Sequence, residues 1–188
     1  DLLEEGAESF FIDLNSPTNA TVAVNRGTGV INNDDAPRAT VTLNGGTGND
    51  TLIGLSGNDS VNGGSGDDSI DAGGGNDTVL GGAGRDTIDG GAGDDSLDGQ
   101  GGADSINGGD DDDEIVYHGN EDGNDTIFGG NGADTVTVNT GVTDDTLAIG
   151  QDALGRVMIT EGSSTLIVDP SISIVNVNGQ AGTDMITV

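Results

Sequence analysis

Residues 45–116 read GGTGNDTLI, GLSGNDSVN, GGSGDDSID, AGGGNDTVL, GGAGRDTID, GGAGDDSLD, GQGGADSIN and GGDDDDEIV, eight consecutive blocks of nine. Aspartate returns at Asp50, Asp59, Asp68, Asp77, Asp86, Asp95, Asp104 and Asp113. Two residues after each comes an aliphatic: Leu52, Val61, Ile70, Val79, Ile88, Leu97, Ile106 and Ile115. A fixed period of this length is the mark of a repeat architecture, in which each unit buries its apolar residue only by stacking on its neighbours. After Glu114 the phase slips. The next matching pair is Asp125 with Ile127, twelve residues on instead of nine, followed by Asp134 with Val136. This reads as a three-residue insertion near Tyr117 to Asp122 that bulges one turn.

Each block divides into a six-residue turn, G-G-x-G-x-D, and a short strand whose middle residue is aliphatic. Glycine permits the left-handed backbone that curls several carbonyls toward one centre, and the sixth-place aspartate adds negative charge. The two-residue period of a strand turns the central aliphatic inward and its polar neighbours outward. Two blocks make one coil, so alternate turns stack on opposite edges. Asp50, Asp68, Asp86 and Asp104 fall in one ladder, and Asp59, Asp77, Asp95 and Asp113 in the other. Successive coils lie about 4.8 Å apart. At roughly 5 Å and an effective dielectric near 20, each neighbouring carboxylate pair repels by about 3 kcal/mol. A divalent cation between turns reverses that sign, and such a thin aliphatic core is small beside the chain entropy of so many glycines. The repeat is therefore expected to be disordered without metal and to fold on binding it.

Composition selects the metal. The 188 residues include 36 glycines and 34 acidic groups against four arginines and no lysine, for a net charge of −30. Nothing in such a chain neutralises a phosphate backbone, which excludes nucleic acid and anionic membrane as partners. Carboxylate and carbonyl oxygens suit hard cations, calcium first. Without cysteine there is neither a disulfide framework nor a thiolate site. The chain opens DLLEEGAESF, with no initiating methionine, no signal pattern and no long apolar run, and so reads as part of a longer protein with no membrane-inserting segment.

The flanks differ from the repeat. Residues 1–38 alternate in SFFIDL and ATVAV and continue to GTGVI, Asp34 and Asp35, a pattern expected of half-buried antiparallel strands, with Ala36, Pro37 and Arg38 as a linker. Residues 139–188 carry strand-like LAIG, RVMIT, TLIVD and SISIVNVN, then GQAGTDMIT, a degenerate repeat placing Asp184 and Ile186 at the motif offsets.

On these residues the segment 45–137 resembles the RTX, or haemolysin-type, calcium-binding repeat. The resemblance implies an all-β protein: a right-handed parallel β-roll over residues 39–138, flanked by antiparallel or irregular β segments. It also implies several calcium ions, about six or more, each held between stacked turns. The implied metal ligands are Asp50, Asp59, Asp68, Asp77, Asp86, Asp95, Asp104, Asp113, Asp125 and Asp134. With them go carbonyls of Gly46, Gly48, Gly57, Gly64, Gly66, Gly73, Gly75, Gly82, Gly84, Gly91, Gly93 and Gly102. Leu55, Ala72, Arg85 and Gln100 depart from the usual residue types, but a carbonyl does not depend on its side chain. The turn at Asp122 to Asp125 lacks the leading double glycine. Residues 1–35, EGAESFFIDLNSPTNATVAVNRGTGVINNDD in particular, are similar to the closing strands of a Calx-beta β-sandwich, in which terminal acidic residues bind calcium. Asp34 and Asp35 are then either ligands or a solvated turn.

Other residues invite other chemistry. Tyr117 and His118 read as an inserted surface loop, since the single histidine has no repeated partner. Thr51, Ser69, Thr87 and Ser105 form an outward ladder, either a flat surface for ice or glycan or a product of strand propensity alone. No Ser/His/Asp set is recognisable, and the paired carboxylates fall on the metal register, so the chain is read as a non-enzyme. The resemblance implies a calcium-dependent folding module of a large secreted or cell-surface bacterial protein, adhesin-like, of the kind that accompanies type I secretion. The competing reading is an accessory calcium-binding region of a secreted protease, lipase or polysaccharide epimerase.

Overall fold

The computed structural model describes residues 11–14, 20–23, 30–33, 40–118, 123–140, 146–151, 157–161, 164–178 and 185–187. Every regular element among them is a strand. The repeat supplies β4 (Val41–Thr47), β5 (Thr51–Ile53), β6 (Ser60–Ser65), β7 (Ser69–Gly74), β8 (Thr78–Gly84), β9 (Thr87–Ala92), β10 (Ser96–Gly102) and β11 (Ser105–Asp110). β12 (Glu114–Tyr117), β13 (Thr126–Asn131) and β14 (Thr135–Asn139) continue it past the phase slip. Odd-numbered strands from β5 to β13 pair with one another in one sheet and even-numbered strands from β4 to β14 in a second. All these pairings are parallel. The chain is thus a parallel β-roll, as its period of nine predicts.

Register states the coil length directly. Ser69 lies opposite Thr51 on one side and Thr87 on the other, two nonapeptides away in each direction. Across the slip Ser105 faces Thr126 and Glu114 faces Thr135, so the coil there is longer by the inserted three residues and neither sheet is broken. Aliphatics of both sheets meet between them: Leu52, Ile70, Ile88, Ile106 and Ile127 against Val61, Val79, Leu97, Ile115 and Val136, all buried. Pairing runs further than the expected three-residue strands. β6 carries it through Gly63 and Gly64, with Gly64 opposite both Gly46 and Gly82, because side-chain-free turns stack as closely as the strands do.

Among the described residues of 1–38 the pairing is parallel and not the antiparallel one expected. β1 (Phe11–Leu14), β2 (Ala20–Ala23) and β3 (Val30–Asn33) join the stack in parallel, β1 on β3, β3 on β5 and β2 on β4. Alternation reports one buried face and does not distinguish the direction of the partner strand. Beyond the repeat, β15 (Thr146–Gln151), β16 (Val157–Glu161) and β17 (Ser164–Val168) form the antiparallel segment expected there. β17 seats itself in parallel on β13, and β18 (Ile174–Asn178) does the same on β14. β19 (Met185–Thr187), from the degenerate repeat, pairs with β15.

Tyr117 is also not where a surface loop would put it. It ends β12 opposite Val138 and is 1% exposed, packed into the core. The place following Val116 in the nonapeptide faces inward. His118 does lie at the surface, its Nδ1 3.6 Å from Asp98 Oδ1.

Candidate metal centre

The ten motif aspartates stand in the two predicted ladders, and every one is at most 3% exposed. One edge carries Asp50, Asp68, Asp86, Asp104 and Asp125, and the other Asp59, Asp77, Asp95, Asp113 and Asp134. Within each ladder the backbone N–H of one aspartate donates to the Oδ1 of the aspartate a coil later. Asp50 donates to Asp68, Asp68 to Asp86 and Asp86 to Asp104, each at 2.8 Å, and Asp104 to Asp125 at 2.9 Å. On the second edge the bonds run from Asp59 to Asp77, Asp77 to Asp95, Asp95 to Asp113 and Asp113 to Asp134, at 2.7 to 3.1 Å. From Asp50 to Asp113 each aspartate carbonyl in turn accepts from the first strand residue of the next coil, as Asp50 does from Ser69 and Asp77 from Ser96.

That leaves the second carboxylate oxygen. In Asp59, Asp68, Asp77, Asp86, Asp95, Asp113 and Asp134 the Oδ2 atom is buried with no hydrogen-bond partner. A buried carboxylate oxygen without donor or cation is costly. Burial accordingly pushes the carboxyls of Asp77 and Asp113 up to about 7 and those of Asp86 and Asp95 to about 6. Asp59 and Asp68 are raised for the same reason. Neighbouring ladder carboxylates add to the rise at Asp77, Asp86 and Asp113.

The predicted glycines are stacked beside them. The space a side chain on Gly64 would need is taken by the Gly46 carbonyl oxygen, and Gly82 stands likewise over Gly64. A second column on that edge runs Gly48, Gly66, Gly84, Gly102 and Gly123. The other edge repeats both columns, with Gly73 over Leu55, Gly91 over Gly73, Gly75 over Gly57 and Gly93 over Gly75. Leu55 and Gln100 adopt the same left-handed backbone as the glycines they replace, at φ of 74° and 63°. The leading glycine leaves room for the carboxylate, since a Cβ on Gly45 or Gly81 would lie 2.7 Å from the Oδ2 of Asp50 or Asp86. Among the described residues no three acidic, histidine or cysteine side chains converge on one centre. A cation here must take most of its oxygens from the backbone, and this suits calcium.

A further set went unread in the sequence. At the fifth place of the turn, Asn49, Asn58, Asp67, Asp94 and Asp112 accept through Oδ1 from the backbone N–H of Asp67, Asn76, Arg85, Asp112 and Ala133 in the next coil. The recurrence of Asn or Asp there was the available signal. These bonds run opposite in direction to those of the sixth-place aspartates. On the second edge Asp94, Asp95, Asp112, Asp113 and Glu114 line one open groove with Ser96, Ala133 and Thr135. Asp34, Asp35 and Asp184 lie outside the described residues.

The family model of the RTX calcium-binding nonapeptide repeat, written as four copies, matches residues 44–79, 80–115 and 121–147. The chain belongs to this family. Its nonapeptides are calcium-binding RTX repeats and the β-roll is their structural frame. The interruption between the second and third matched segments falls where the coil takes up its insertion. None of the curated proteins matches the sequence.

Proposed function

We propose that this RTX segment is a calcium-dependent folding module of a large secreted or cell-surface protein, adhesin-like in its role. The observation that carries the reading is the double ladder of buried carboxylates, in which the Oδ2 atoms of Asp59, Asp68, Asp77, Asp86, Asp95, Asp113 and Asp134 have no hydrogen-bond partner within the protein. The motif aspartates would hold calcium together with the stacked carbonyls of Gly46, Gly48, Gly57, Gly64, Gly66, Gly73, Gly75, Gly82, Gly84, Gly91, Gly93 and Gly102. Calcium supplies concentrated positive charge that offsets the carboxylates' mutual repulsion and their loss of water. What the chain itself does is hold those oxygens in register, through the Oδ1 bonds to the coil before and the carbonyl bonds to the coil after.

Millimolar calcium outside a cell exceeds the dissociation constants expected of multi-oxygen sites, whereas submicromolar calcium inside does not. Folding is thereby coupled to release. Far-ultraviolet circular dichroism during a calcium titration tests the reading: a coil spectrum in excess chelator that converts cooperatively to a β spectrum supports it. A β spectrum already complete in chelator refutes it.

A further inference from the structure

The turn containing the insertion is built unlike the others. Counting from Asp113 as sixth, Tyr117 occupies the first place of the next nonapeptide, where the eight preceding blocks have glycine or, once, Ala72. At Gly81 and Gly90 that place faces the Oδ2 of the turn's own aspartate, Asp86 or Asp95, closely enough that a Cβ would crowd it. Tyr117 nevertheless sends its side chain inward, and its hydroxyl donates to the Gly123 carbonyl oxygen at 3.0 Å. Gly123 is the fourth-place glycine of that turn, left-handed at φ 96° and stacked over the Gly102 carbonyl as Gly66 is over Gly48. The carbonyl that extends this column is thus already engaged by a proton donor. Asp125 meanwhile accepts the Asp104 amide at 2.9 Å, so the hydrogen-bond ladder itself passes through the turn intact.

We infer that Tyr117 closes this turn in place of calcium, its hydroxyl taking the position on the Gly123 carbonyl that a cation takes elsewhere. The inference rests on the reading of the other turns as calcium sites. A hydroxyl donor satisfies one carbonyl lone pair and brings no charge, and the ring is buried in the core. The first edge then carries one ion fewer than its stacked turns would allow, and the two edges load unequally. Tyr117 is in this sense a residue that sets the ion count.

A variant with the nonapeptide restored tests this. Tyr117→Gly combined with removal of residues 118–120 leaves G-E-D-G-N-D before Thr126, a six-residue turn in phase with the rest. Native mass spectrometry in calcium should count one more ion per chain in this variant than in the wild type, and an equal count overturns the inference. Should the variant not fold, crystals of the wild type grown in calcium decide by anomalous scattering. Peaks between the other stacked turns with none between Gly102 and Gly123 support the inference, whereas a peak there overturns it. A map with no calcium peak anywhere removes the calcium reading as well, so the two failures are distinguishable.

Discussion

At Asp77 four polar groups have three partners. Its amide reaches Asp95 Oδ1, its carbonyl accepts from Ser96, its Oδ1 accepts from the Asp59 amide, and its Oδ2 has nothing. Asp77→Asn keeps a side-chain oxygen for the Asp59 amide but removes the charge. Asp77→Ala removes both, stranding a buried donor at a cost of about 1–3 kcal/mol. Calcium titrations followed by circular dichroism should show a raised midpoint for both, by roughly tenfold in Asp77→Asn if about 1.4 kcal/mol of metal affinity is lost, and further in Asp77→Ala. An unchanged midpoint in Asp77→Asn would contradict a charge role for Oδ2.

Acidity acts on the same carboxyls. Their folded-state values, up to about 7 at Asp77 and Asp113, lie above the unfolded value near 3.8, so the metal-free roll binds protons that the unfolded chain has released. The resulting stabilisation is complete below pH 3.8 and is lost as pH rises to about 7. In chelator, β structure should therefore grow on acidification from pH 7.5 toward 4. In calcium the reverse holds, because protons compete for the same oxygens: the calcium midpoint should be higher at pH 5.5 than at 7.5.

Among the elements, the coils were legible in the sequence because period nine specifies both the strand centres and the stacked aspartates. Tyr117 was not, since an interruption of phase does not say whether the residue standing at it points outward or into the core. The fifth-place Asn and Asp residues were equally visible but had no assigned partner until coils were laid in register. Strands β1 to β3 were legible as strands, and their parallel pairing needed the structure. At the other end, Ser171 on the connection between β17 and β18 accepts from the amides of Gly129 and Gly130 through Oγ, while its own amide donates to Asp169. It does for the last turn what a following coil does for the others. Ser171→Ala should lower the thermal midpoint of the calcium-loaded protein, by an amount equivalent to about 1–3 kcal/mol. Scanning calorimetry in saturating calcium measures this, and no shift would mean that water replaces the hydroxyl.

Across the whole molecule the two edges differ in charge. The second bears Asp94 and Asp112 at the fifth place, inside the groove with Asp95, Asp113 and Glu114, whereas the first has Asp67, Arg85 and Ala103 there. Asp94→Asn with Asp112→Asn should raise the calcium midpoint roughly fivefold at low salt, against about twofold for Asp67→Asn, and the gap should narrow as salt screens it. Isothermal titration at two ionic strengths checks both statements, and equal shifts would make the edges equivalent.

The Oδ1 bonds of the sixth-place aspartates run one way along the axis, each amide finding its acceptor on the coil that comes later in the chain, while those of the fifth place run the other way. A coil added at either end of the stack therefore meets both a waiting acceptor and a waiting donor. At the amino end it gives its sixth-place amides and receives at its fifth place, and at the carboxyl end the roles exchange. Neither end is a closed face, so a roll assembling in calcium can lengthen coil by coil from whichever end is seated first.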